Sequence, residues 1–189
     1  MTPPSRGAGP MPAWTQLAVP VAAMIVVVVA ANVTVQYPIN AWLTWGAFIY
    51  PFAFLVTDIA NRAFGPGRAR QVILVGFVLG VALSAAASTP RIALASGSAF
   101  LVAQLLDVTI FDRMRRLEWW RAPLASSLIA SAVDTALFFS LAFAATGLPW
   151  MTWAIGDYAA KLAMAAALLL PYRAVVRRLP QWQPATALS

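Results

Sequence analysis

Apolar residues run along this chain in six long stretches, at about 17–31, 42–59, 71–88, 92–111, 123–146 and 150–172. At a rise of about 1.5 Å per residue, such stretches suit a hydrocarbon core about 30 Å thick. The pattern therefore predicts an all-α integral membrane protein, a bundle of six transmembrane helices over 15–179. Residues 1–14, rich in Pro and Gly, have little to bury and are expected to form a disordered cytoplasmic tail, and 180–189 a second tail. Arg6, the first apolar run and Val29-Ala30-Ala31 also resemble a cleaved signal peptide. With five further spans behind it, an uncleaved first anchor is the simpler reading.

Interruptions in the pattern carry the next layer. Pro51 removes a backbone donor and leaves the Ala47 carbonyl free, so the second span should kink or break there, either to line a site or merely to shape packing. Gly65-Pro66-Gly67 should stop that helix within a loop over 64–70. In the third span Gly76, Gly80 and Ser84 recur every four residues, which gives a smooth face for a close helix neighbour. Asn32, Thr34 and Gln36 read as a polar exit from the first span, and Asp58 with Arg62 as an interfacial ion pair.

Composition agrees, with 61% hydrophobic and 10% charged residues among 189. No cysteine or histidine is present, which removes disulfides, thiolate chemistry and the commonest general base and metal ligand. Neither a cofactor nor a metal is expected. The net charge of +7 would suggest nucleic acid in a soluble protein, but its placement argues topology instead. Arg6, then Arg62, Arg68 and Arg70, then Arg113, Arg115, Arg116 and Arg121, then Arg173, Arg177 and Arg178 share one side of a six-span bundle. Only Arg91 falls opposite, so both termini are expected to be cytoplasmic. Trp42, Trp45, Trp150 and Trp153 then mark the outer interface, and Trp119, Trp120 and Tyr172 the inner one.

Against this background the intramembrane polar residues stand out. A carboxylate at a helix centre costs roughly 2.5–3.5 kcal/mol, so Asp134 needs a partner or a task. Counted by rise, Asp134, Gln104 and Lys161 lie roughly 14–16 Å from their helix ends, all near the midplane. Asp107 and Asp157 flank that level by about one turn. Several polar side chains converging at mid-depth is what a solute site looks like. Three acids stand there against one Lys, so the site should favour a cationic or donor-rich solute, or carry protons. Trp45, Phe48 and Phe52 around the Pro51 kink offer stacking surface.

The residues carry a resemblance over most of 32–179. Leu43-Thr44-Trp45-Gly46-Ala47-Phe48, Pro51-Phe52, Thr57-Asp58, Arg62, Phe64-Gly65 and Ala69-Arg70, then Gln104-Leu105-Leu106-Asp107-Val108, Trp119-Trp120, Asp134-Thr135, Phe138-Phe139 and Asp157-Tyr158 with Lys161, resemble in order the queuosine precursor transporters of the vitamin uptake transporter family. The third span and the outer loops are shorter here, and Ser131 departs from the pattern. The resemblance implies a multi-pass bacterial plasma (inner) membrane transporter. It would import 7-cyano- or 7-aminomethyl-7-deazaguanine for queuosine modification of tRNA, with Asp134 and Gln104 first among the substrate-binding residues, Asp107, Asp157 and Lys161 next, and Asp58 last.

Two other classes are weighed against it. Six spans in under 200 residues also describe the substrate-binding subunit of an energy-coupling-factor importer, with Ala18 and Ala22 as a docking face. No P-loop occurs, so the chain itself does not hydrolyse ATP through one. An intramembrane aspartyl enzyme is disfavoured, since the acids lie at different depths and lack flanking glycine patterns. A homodimer is a further expectation, through the third helix.

Overall fold

The computed structural model describes residues 13–84 and 89–182. The expected N-terminal tail with Arg6, residues 85–88 of the third span and most of the C-terminal tail lie outside them. The described chain is all-helical: α1 (Ala13–Thr34), α2 (Gly46–Ile49), α3 (Pro51–Phe64), α4 (Pro66–Ser84), α5 (Pro90–Met114), α6 (Arg121–Phe143) and α7 (Trp150–Val176). Five of these, α1, α4, α5, α6 and α7, are long and apolar enough to span a membrane. The second expected span is divided between α2 and α3, neither of which is long enough alone.

The division is slight. Tyr50 keeps helical dihedrals of φ −58° and ψ −37°, and its N–H bonds the Gly46 carbonyl at 2.9 Å. Pro51 opens α3 at a position where a missing N–H is tolerated. The expected loop over 64–70 is a sharper correction. Gly65 alone, at φ +87°, makes the turn, and Pro66 starts α4 at once. A left-handed residue followed by a helix-compatible proline needs no further chain.

Packing explains the element order. α3 lies at the centre and touches each of the other six helices, while α5 with α6 and α1 with α4 form the closest pairs. Gly76 and Gly80 face Met24 and Val28 of α1, where a Cβ would collide with either side chain. The smooth face expected on this helix is thus filled within the chain, where Met24 and Val28 are buried. It is not open to a second copy; the side chain of Ser84 lies outside the described residues. At the other edge, Gly156 of α7 lets the Trp42 carbonyl approach closely.

Two ends are distinguishable. At one, Arg62 donates to the Arg115 carbonyl at 2.8 Å and the Trp182 N–H to the Arg62 carbonyl at 3.1 Å. At the other, Thr152 reaches the Ala41 carbonyl at 3.2 Å, and Arg91 caps the end of α6 through the carbonyls of Leu141 (3.0 Å) and Ala144 (2.7 Å). Large apolar side chains such as Val19, Leu94 and Leu170 face outward, whereas Asp58, Asp107, Asp134, Asp157 and Lys161 are buried. That inverted polarity is what lipid selects.

Candidate functional site

The interior polar residues separate into two groups. The first is built on α6 and α7. Asp157 and Lys161, four residues apart on α7, bring Oδ2 and Nζ to 2.5 Å, the i,i+4 geometry their spacing predicts. From α6, Asp134 Oδ2 accepts from the same Nζ at 2.8 Å, and Thr135 Oγ1 accepts from it at 3.1 Å. The Thr135 hydroxyl in turn donates to Asp157 Oδ2 at 2.8 Å. Tyr50, at the α2–α3 joint, lays its ring 5.0 Å from Nζ. Lys161 is therefore held on several sides with its side chain 3% exposed.

This group has open valences. Among the described residues Asp134 Oδ1 and the Tyr50 hydroxyl make no well-formed hydrogen bond, although the hydroxyl lies beside the Asp134 carboxylate. Asp134, Asp157, Lys161 and Tyr50 line a cavity of about 20 Å³ with Asn32 and Ser96, room for about one water. The Ser96 hydroxyl donates to Asn32 Oδ1 at 2.6 Å, so α1 and α5 close the cavity from the far side.

The second group lies toward the arginine-rich end, on α3, α5 and α6. Asp58 and Asp107 face each other within hydrogen-bonding reach, with Ser126 and Ser127 beside them. Below them Asn61 donates to the Val108 carbonyl at 3.2 Å and accepts from Arg115, which also pairs with Asp112 at 2.9 Å. The interfacial Asp58–Arg62 pair expected from spacing does not form: Asp58 is 3% exposed and turns inward, while Arg62 bonds the Arg115 carbonyl.

A second cavity of about 20 Å³ has Asp58, Ser127, Ser131, Tyr172 and Lys161 in its wall. Lys161 is thus in the wall of both cavities, one with Asp58 and Tyr172 and the other with Asn32 and Ser96. Tyr172, expected at an interface, is buried instead.

Among the expected site residues, Asp134, Asp157 and Lys161 come together. Gln104 does not join them in a direct bond; its Oε1 accepts from Thr57 at 2.5 Å and its Nε2 has no partner. Trp45 and Phe52 are exposed, at 57% and 38%, and Phe48 is half-buried; none of the three lines either cavity. The ring at the site is Tyr50. Asn32, Ser96 and Tyr50 were missed as site residues. A polar residue near a span's end and a Tyr beside a helix break were the available signals.

The sequence is similar to those of known proteins. The family model described as "Putative vitamin uptake transporter" matches residues 44–88 and 82–176. A "Probable queuosine precursor transporter" of Haemophilus influenzae is 35% identical over 193 aligned positions, covering 80% of this chain and 82% of the relative. The "Queuosine precursor transporter" of Escherichia coli K12 is 33% identical over 181, with the same shares. A Bacillus subtilis protein named "Probable queuosine precursor transporter" is 29% identical over 169, covering 72% of each chain. No solved structure gives a significant match. The chain belongs to the vitamin uptake transporter family, that of the queuosine precursor transporters, and is a multi-pass protein of the bacterial plasma (inner) membrane.

Proposed function

We propose that this protein imports queuosine precursors, 7-aminomethyl-7-deazaguanine or its 7-cyano counterpart, without altering them chemically. In this reading α2 and α3 together make a sixth crossing, and both termini are cytoplasmic. The observation that carries it is the buried Asp134 carboxylate, held by Lys161 through one oxygen, while the other makes no well-formed hydrogen bond and has the Tyr50 hydroxyl beside it. A buried acceptor without a well-formed hydrogen bond is costly, so it marks where a donor-bearing solute is welcome.

A deazaguanine has the matching edge. Its ring N–H and exocyclic amine lie side by side and can donate to a carboxylate as a pair, while its carbonyl takes the place of Thr135 on the Lys161 ammonium, whose three N–H groups otherwise serve Asp134, Asp157 and Thr135. Its flat face fits against Tyr50, and the aminomethyl cation is served by the second acid, Asp157. Asn32 and Ser96 offer further polar contacts on the opposite wall. The present cavity is smaller than such a base, so α1–α3 must separate from α6 and α7 to admit it and close again behind it.

The test is uptake of labelled 7-aminomethyl-7-deazaguanine by cells unable to make it, with wild-type and Asp134→Asn proteins at matched membrane levels. Asparagine keeps the shape but replaces a bidentate acceptor with a donor, and uptake should fall about a hundredfold, the scale of one lost charge-assisted pair. Equal uptake by both forms would sink the role of Asp134. No uptake by either, with copurifying ATPase subunits, would turn the reading toward the binding component of a larger importer.

A further inference from the structure

The Asp58–Asp107 pair is not used by this substrate reading. Both residues are almost wholly buried, at 3% and 0% exposed. A carboxylate only accepts hydrogen bonds, so two facing carboxyl groups form one only if a proton lies between them. Among the described residues neither oxygen of Asp107 has a well-formed hydrogen bond; the hydroxyls beside the pair are Ser126, 3.5 Å from Asp58 and also turned to the Pro123 carbonyl at 3.3 Å, and Ser127.

Neighbouring cations are engaged elsewhere. Lys161 is held by Asp134 and Asp157. Arg115, which keeps one free Nη1, bonds Asp112 and Asn61; Arg62 bonds the Arg115 carbonyl; from α4, Arg68 bonds Gln16; and from α7, Arg173 lies over the Trp119 ring. An independent feature points into the same space. The Tyr172 hydroxyl, on a side chain 2% exposed, has no partner and shares with Asp58 the wall of the cavity that ends at Lys161. One water there would link the acid pair to the arginine-rich end on one side and to the substrate group on the other.

We propose that Asp58 and Asp107 form a proton site distinct from the substrate site, holding one proton between their carboxyl groups, and that this proton crosses the membrane with the substrate. The second half rests on the transport reading above. The proton enters as hydronium, transfers to a carboxylate oxygen with loss of water, and leaves to water on the other side.

Infrared spectra of the purified full chain at neutral pH test the shared proton without any substrate. A carboxylic-acid C=O band should be present in wild type and in Asp134→Asn, and absent in Asp107→Asn and Asp58→Asn. Its absence in wild type overturns the proposal, as does its loss when sodium chloride replaces choline chloride, which would assign the pair to sodium. In proteoliposomes whose membrane potential is held at zero by valinomycin and equal potassium on both sides, an interior one pH unit more alkaline than the outside should concentrate labelled 7-aminomethyl-7-deazaguanine about tenfold at one proton per substrate. A sodium gradient should do nothing. Accumulation indifferent to the pH gradient overturns co-transport. A wild-type protein that moves no deazaguanine overturns the transport reading and co-transport with it, while the infrared band still decides the proton site.

Discussion

Asp134 and Asp157 grip the same ammonium group, each through a single oxygen. Asp157 directs Oδ2 at both Lys161 and Thr135, while Asp134 Oδ1 makes no well-formed hydrogen bond. Lys161 therefore bridges two acids at once and offsets one of their two charges, and its removal should be felt in stability before transport is measured. Lys161→Met leaves both carboxylates buried without a cation, a loss of about 3–5 kcal/mol for breaking such a pair. At a few degrees per kcal/mol the thermal midpoint should fall on the order of 10 °C. Adding Asp157→Asn to that variant should restore part of the loss. Tryptophan fluorescence during heating in detergent reads both changes, and an unaltered midpoint for Lys161→Met would mean the ion cluster holds nothing together. The sequence made this cluster legible because helical rise converts position into depth. Rise says nothing of direction around the axis, so Gln104, at the right depth, is turned by α5 onto Thr57 instead. For the same reason Asn32 looked like an exit from α1 but faces Ser96 within the bundle.

At the scale of elements, punctuation residues were legible as places and not as shapes. Pro51 marks an interruption, but the backbone at Tyr50 stays helical, so the break amounts to one absent N–H donor rather than an unwound segment. Gly65-Pro66-Gly67 marks a boundary, yet tight turning at Gly65 and the helix-starting geometry of Pro66 leave no loop. The interruption has a consequence for function, because it sets Tyr50 and Gly46 against the cavity beside Asp134. Pro51→Ala would supply the missing donor to the Ala47 carbonyl and fuse α2 to α3. One added backbone bond should leave stability unchanged or raise it by about 1 kcal/mol. Uptake of the deazaguanine should fall several-fold all the same, as a continuous helix can no longer hinge at Tyr50. Thermal midpoint and uptake, measured on the same membranes, separate the two effects. Full uptake would reduce Pro51 to a packing kink.

Across the whole molecule, charge and aromatic residues sort the two ends before any membrane is considered. Arg62, Arg115 and Arg173 gather at one end, tied to Asn61, Asp112 and Trp119, while Arg91 is at the other with the Trp42 loop and the turn after α6. Positive charge is retained on the cytoplasmic side during insertion, so the arginine-rich end should face the cytoplasm and Asp134 should be reached from outside through the Asn32–Ser96 cavity. The absence of any cysteine makes this directly measurable. Leu117 lies in the connection before α6 at the arginine-rich end, and Leu148 in the one before α7 at the opposite end; they are 45% and 46% exposed. In intact cells a membrane-impermeant maleimide should label Leu148→Cys and leave Leu117→Cys untouched, and permeabilisation should make both react. The reverse pattern would invert the molecule and, with it, the side from which substrate reaches the Asp134 cavity. Labelling of both sites in intact cells would mean insertion in two orientations, which the lopsided arginine distribution argues against, since ten of the cationic side chains at 62–178 would then face each way with equal ease.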